Sequence, residues 1–138
     1  MIVLDTNVLS ELVRPRPAPA VVDWVDGQDP DQLAITALTA AEIRAGIALL
    51  DSGRRKRELE RQMEGLLGET FAGLVLPFDD EATPAYAQVV ATRRRAGRPI
   101  GAFDAQIAAI CLHREVPLAT RNTDDFAGLG LRLIDPWH

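Results

Sequence analysis

The chain of 138 residues carries one cysteine, two histidines, one lysine and one tyrosine. A lone Cys111 excludes an intrachain disulfide and any multi-cysteine zinc site. With only His113 and the terminal His138, a histidine-rich metal site is excluded as well. Cys111 and His113 stand two apart in a helical stretch and face different ways, so Cys111 reads as a buried apolar residue rather than a thiol nucleophile. Nucleophile and nucleotide motifs are also missing: there is no G-x-S-x-G turn, no G-x-x-x-x-G-K-[ST] loop and no G-x-G-x-x-G fingerprint. No run of about 18 apolar residues occurs, so no membrane span is expected. The opening Met1-Ile2-Val3-Leu4-Asp5 has no basic region followed by a long apolar one, and a cytoplasmic location is expected. Excess positive charge is absent too: 15 Lys and Arg stand against 20 Asp and Glu, for a net charge of −5. That balance argues against a uniformly basic nucleic-acid binder, while leaving room for a local basic patch. What remains for chemistry is mostly carboxylates.

Apolar residues make up 47% of the chain and charged residues 25%, a globular mixture that argues against disorder. The length suits one domain spanning 1–138. Ile2-Val3-Leu4 is a short β-prone run, apolar on both faces, as in the buried strand of a parallel sheet. Further strands are expected at 33–36, 74–76, 118–120 and 131–134. Helices are expected after Asp5 to about Leu12, at 19–28, 39–50, 54–70, 80–96 and 102–114, with Pro15, Pro17 and Pro19 making an extended linker. Trp24 sits at helical spacing with Val21 and Val25, which reads as core packing. Short strands alternating with helices predict an α/β three-layer sandwich, with a mostly parallel sheet of about five strands.

In such sheets, ligands bind outside the carboxyl ends of the strands. Asp5 follows the first strand, Glu42 lies in the first turn of the helix after the second, and Asp104 opens the helix before the fourth. Asn122, Asp124 and Asp125 follow that fourth strand. Like charges gathered at one edge repel unless a cation neutralises them, and oxygen-only ligands favour magnesium or manganese over zinc. Each position also has a plain structural reading. Asp5 or Thr6 would cap a helix, and Thr39-Ala40-Ala41-Glu42 matches a capping box. Asp124 and Asp125 would form Asx turns. Asp104 is the most telling, because it shares a helical stripe with Ile107, Ala108 and Cys111 and has no basic residue four positions away. A strand ending in aspartate also suits an aspartyl-phosphate protein, but the only lysine, Lys56, lies within an arginine-rich helix.

Ile2 to Ser10 (IVLDTNVLS) resembles the opening of PIN-domain ribonucleases, especially the VapC toxins of bacterial toxin–antitoxin pairs. The resemblance continues through Thr39 to Gly46 (TAAEIRAG), Gly101 to Ala109 (GAFDAQIAA) and Leu118 to Phe126 (LATRNTDDF). The closing Asp135-Pro136-Trp137 is similar to the end of the FitB-like subgroup. The resemblance implies that Asp5, Glu42 and Asp104 bind the metal and that Thr6 supports them by hydrogen bonding. For the fourth position it leaves Asn122, Asp124 and Asp125 open, with Asp125 matching the family's Asp-Phe pair. It further implies Mg²⁺, with Mn²⁺ as a substitute, and hydrolysis of RNA phosphodiester bonds by metal-activated water. Implied partners are an RNA substrate, a small cognate antitoxin and a second copy of the chain. A PIN-like module that binds without cutting is the alternative.

Two basic clusters are candidate phosphate contacts. In Arg54 to Arg57, the spacings Arg54–Glu58 and Lys56–Glu60 suit a solvated, ion-paired helix face instead. Arg93, Arg94, Arg95 and Arg98 have fewer local acids and precede Asp104, so this cluster is expected to face RNA.

Overall fold

The computed structural model describes residues 1–138. Strand β1 (Ile2–Leu4) lies at the centre of a five-stranded sheet with β2 (Leu33–Thr36), β3 (Val75–Leu76), β4 (Leu118–Ala119) and β5 (Leu133–Ile134). The strand order is β3-β2-β1-β4-β5, and every pairing is parallel. Successive strand residues point to opposite faces, and the two cores follow from that alternation. Val3, Ala34 and Leu118 enter one apolar cluster, while Leu4, Leu33, Ile35 and Ala119 enter the other. A sheet so loaded must be covered on both sides, which produces the three layers.

Helices α5 (Thr83–Arg95) and α6 (Ala102–Arg114) cover the first face, contributing Val89, Ala105, Ile107, Ala108, Ile110 and Cys111. The second face packs on α1 (Thr6–Leu12), α2 (Pro19–Asp26), α3 (Ala37–Ala48) and α4 (Arg54–Gly65). Trp24 is half-buried on that side. Buried Glu11 accepts a hydrogen bond from the Ala18 amide at 2.9 Å and pairs with Arg14 at 3.3 Å, which fastens the proline-rich linker to α1. No helix is long and apolar enough to cross a membrane.

Several boundaries differ from the sequence expectation, each for a local reason. Helix α3 starts at Ala37, because the Thr36 hydroxyl accepts the Thr39 amide at 3.2 Å and caps it. Thr39 is therefore inside the helix, and Glu42 stands in its second turn rather than its first. The stretch 54–70 is two elements: α4 ends at Gly65 and continues as a π-helical turn, Leu66–Thr70, that turns Leu67 into the core. The stretch 80–96 opens with a separate 3-10 turn, Asp80–Ala82, since Pro84 belongs in the first turn of α5. The ion pairs of α4 are Arg55–Glu58 at 3.8 Å and Arg44–Glu64 at 2.7 Å, and Lys56 donates to the Ala48 carbonyl.

From β1 the chain builds outward to β2 and β3, then crosses back to β4 and β5 on the other side. The order therefore reverses between β1 and β4. That is the switch point at which an open parallel sheet leaves a crevice beyond its carboxyl edge.

Candidate active site

Strand register sets the floor of this crevice. Leu4 pairs with Ala119, so the next residues, Asp5 and Thr120, leave the sheet side by side. The Thr120 hydroxyl donates to Asp5 Oδ2 at 2.8 Å, and the Thr6 amide donates to Asp5 Oδ1 at 2.8 Å. The second bond caps α1, so the plain capping reading of Asp5 holds, yet it describes only one of the two carboxylate oxygens. Asn7 Nδ2 lies 3.4 Å from Asp5 Oδ2 and 3.3 Å from Thr120 Oγ1. Asp5 is only 6% exposed. Burial raises its pKa above the ordinary 3.8, the Thr120 and Thr6 hydrogen bonds oppose that rise, and the charge of Asp125 adds to it.

Glu42 reaches the same space from α3. The Thr6 hydroxyl lies 2.9 Å from Glu42 Oε1 and 3.1 Å from Thr39 Oγ1, linking α1 to α3. With Thr36 as the true cap, the capping-box role for Glu42 is gone. Thr6→Val removes the hydroxyl bond that orients Glu42 and leaves the fold's apolar packing in place. Divalent-cation affinity of this variant is expected to fall about 10-fold or more with an unchanged thermal midpoint in EDTA. An unchanged affinity would remove Thr6 from the site.

Asp104 sits in the first turn of α6, half-buried. Its pKa is pushed up to about 6, first by burial and then by the charges of Asp5, Asp125 and Glu42, with Arg93 opposing. Asp5, Glu42, Asp104 and Asp125 therefore occupy one electrostatic neighbourhood, although they come from four separate segments. None of them forms an ion pair. Asp125 lies on a 3-10 turn, Thr123–Phe126, anchored by the buried ring of Phe126. The charge of Asp125 acts on both Asp104 and Asp5. Asn122 is exposed and donates its amide to Thr120 Oγ1 at 3.1 Å.

The donor set is oxygen only, which fits a hard divalent cation. No three of the carboxylates stand close enough together to hold one ion as they lie. Like charges gathered without a counter-ion repel, and a cation reverses that sign.

One member of the basic cluster, Arg93, is not at the surface as expected. Arg93 is buried at 6% exposure, with Nε donating to the Arg98 carbonyl at 2.8 Å and Nη1 donating to the Asp125 carbonyl. Its guanidinium is engaged inside the fold rather than presented to solvent. Arg98 is exposed and donates to the Asp124 carbonyl at 3.1 Å, while Arg94 and Arg95 are exposed. Cys111 is fully buried with its thiol pushed up to about 12, mainly by desolvation, and is chemically inert at neutral pH.

Sequence reasoning missed Thr120, Asn7 and Arg121. The signal for Thr120 was available, since it ends β4 as Asp5 ends β1. Arg121 donates its amide to Asn7 Oδ1 at 3.2 Å and stacks its guanidinium over the Trp137 ring at 5.1 Å. The hydrogen bonds of Thr120 and Arg121 to Asp5 and Asn7 cross more than a hundred residues and have no local signature.

An all-parallel α/β sandwich that gathers carboxylates without ion-pair partners at its switch point presents an oxygen-only site suited to a divalent cation. The chain belongs to the PIN-domain family, whose model matches residues 2–130. It is 42% identical over 137 residues to the VapC ribonuclease Y4jK of Sinorhizobium fredii, covering 99% of this chain and 98% of that one. It is 39% identical over 138 residues to the toxin FitB of Neisseria gonorrhoeae, covering 100% and 99%. Among solved structures, FitAB bound to the IR36 DNA fragment matches with a TM-score of 0.95 at 40% identity, covering 100% of this chain and 96% of that one. PIN-domain nucleases use divalent metal ions.

Proposed function

We propose that this chain is a Mg²⁺-dependent endoribonuclease and the toxin of a toxin–antitoxin pair, acting in the cytoplasm as one domain spanning 1–138. The observation that carries the reading is the group of four carboxylates with no ion-pair partner at the switch point. Similarity to proteins named as ribonuclease and toxin supports the substrate class and the biological setting.

Asp5, Glu42 and Asp104 would hold the ion, with Asp125 the best placed fourth group and Mn²⁺ an acceptable replacement. A divalent cation supplies activation of water and neutralisation of charge on the scissile phosphate. The protein's own contribution is placement. Thr120 and the Thr6 amide fix the Asp5 carboxylate, and the Thr6 hydroxyl orients Glu42. The first turn of α6 presents Asp104. Burial of the floor keeps bulk water away from Asp5. Exposed Arg94 and Arg95 are the remaining candidates for phosphate contacts from the basic cluster. A small antitoxin and a second copy of the chain complete the proposed assembly, the antitoxin supported by the structural match to a FitAB complex.

Phosphoaspartate chemistry at Asp5 has no support in the site, since Lys56, the only lysine, is bound to the Ala48 carbonyl. Induced expression in bacteria tests the reading. Growth arrest with new RNA 5′ ends is expected, relieved by co-expression of a cognate antitoxin. Normal growth with intact RNA, despite accumulation of free protein, would contradict it and favour a PIN-like module that binds without cutting.

A further inference from the structure

The basic stretch at the end of α5 has an internal destination that its composition does not suggest. Arg93 is as buried as Asp5, yet it has no carboxylate partner. Taking a guanidinium out of water is costly unless its N–H groups are satisfied, so a buried arginine marks a place where the fold requires its fork of donors. Two of those donors reach the carbonyls of Arg98 and Asp125. Arg98 in turn donates to the carbonyl of Asp124. Consecutive carbonyls on the 3-10 turn that carries Asp125 are thus gripped from one helix end, and the grip on Arg98 holds the two arginines in a fixed relation. The opposite side of the turn is pinned by Phe126, which is 1% exposed in the core. Between these two anchors the backbone at Asp125 has little freedom, although its side chain stands exposed at the site.

Resting on the ribonuclease reading above, we infer that Arg93 is a positioning residue. It clamps the Thr123–Phe126 turn to the end of α5 and so holds Asp125 in register with Asp5 and Asp104. RNA contact is not its task. A lysine there keeps the charge but has no fork to bridge two carbonyls, and a methionine keeps much of the volume without donors.

The test compares wild type with Arg93→Met and Arg93→Lys. Arg93→Met is expected to lower kcat about 10- to 100-fold at saturating Mg²⁺ with KM within about twofold, and Arg93→Lys to recover part of that loss. In an Asp104→Asn background, RNA affinity and its salt dependence should match those of the parent, whereas a lost phosphate contact lowers the salt slope by about 1. Hydrogen exchange of metal-free protein provides a readout independent of activity. Amides of residues 122–127 should exchange about 10-fold faster in Arg93→Met, and measurably faster in Arg93→Lys, while β1 and α6 exchange at the wild-type rate. Should Arg93→Met fail to fold, the Arg93→Lys exchange pattern decides. Wild-type exchange at 122–127, or a rise in KM with a reduced salt slope and unchanged kcat, would overturn the clamp. Absence of RNA cleavage by wild type would sink the ribonuclease reading alone, since the exchange comparison still tests the clamp.

Discussion

Asp104→Asn is expected to abolish RNA cleavage while making the metal-free protein more stable at neutral pH. The loss of activity follows from the role proposed for the carboxylate. Asparagine keeps the shape and one acceptor oxygen but removes the charge that attracts the cation, so a fall of more than about 100-fold is expected. The increase in stability follows from the environment of the same group. Burial and the charges of Asp5, Asp125 and Glu42 raise the Asp104 pKa from 3.8 to about 6 in the folded chain. A carboxyl whose folded pKa is raised favours the folded state only while protonated. That contribution is complete below the unfolded value of 3.8 and is lost as pH rises through about 6. At neutral pH, Asp104 is therefore a net burden on the metal-free fold. With screening allowed for, since the group is half-exposed, replacing it should add on the order of 1 kcal/mol. Urea denaturation in EDTA checks this: the variant should be the more stable protein near pH 7.5, and its advantage should disappear by about pH 4. A variant less stable than wild type at both values would show that Asp104 supports the fold.

Addition of Mg²⁺ or Mn²⁺ should stabilise the wild-type protein substantially and leave Asp104→Asn almost unmoved. A ligand that binds only the folded chain stabilises it by about 2.7 kcal/mol at one hundred times its dissociation constant. For a chain of this size that is a rise of roughly 5–10 °C in the thermal midpoint. The effect should be large here because the empty cluster is self-repelling, and EDTA should reverse it. Equal midpoints for wild type in EDTA and in saturating divalent cation would argue against a metal site.

The main features of this architecture were legible in the sequence because they depend on local periodicity. Ile2-Val3-Leu4 is apolar on both faces, and it does lie at the centre of the sheet with a core on each side. The expected helix at 54–70 is present to Gly65, whereas the change from α to π winding at Leu66 leaves no mark in the spacing. The acidic segments could be assigned to one edge because strand ends define that edge. What sequence could not show was how individual groups were engaged. Thr39 and Glu42 match a capping box, but Thr36 supplies a cap three residues earlier and releases Glu42 to Thr6. Arg93 reads as part of a surface patch, because only tertiary packing brings the 3-10 turn of Asp125 over the end of α5. The opening charge balance of −5 likewise conceals its arrangement. Part of that acidity is concentrated where a cation would reverse the local sign.

Cleavage of end-labelled RNA by purified, antitoxin-free protein tests the central claim most directly, with wild type and Asp104→Asn each assayed in Mg²⁺ and in EDTA. Wild type in Mg²⁺ is expected to cut the RNA, with no cuts in the other three reactions. Cleavage by Asp104→Asn at the wild-type rate, or by wild type at full rate in EDTA, would contradict it.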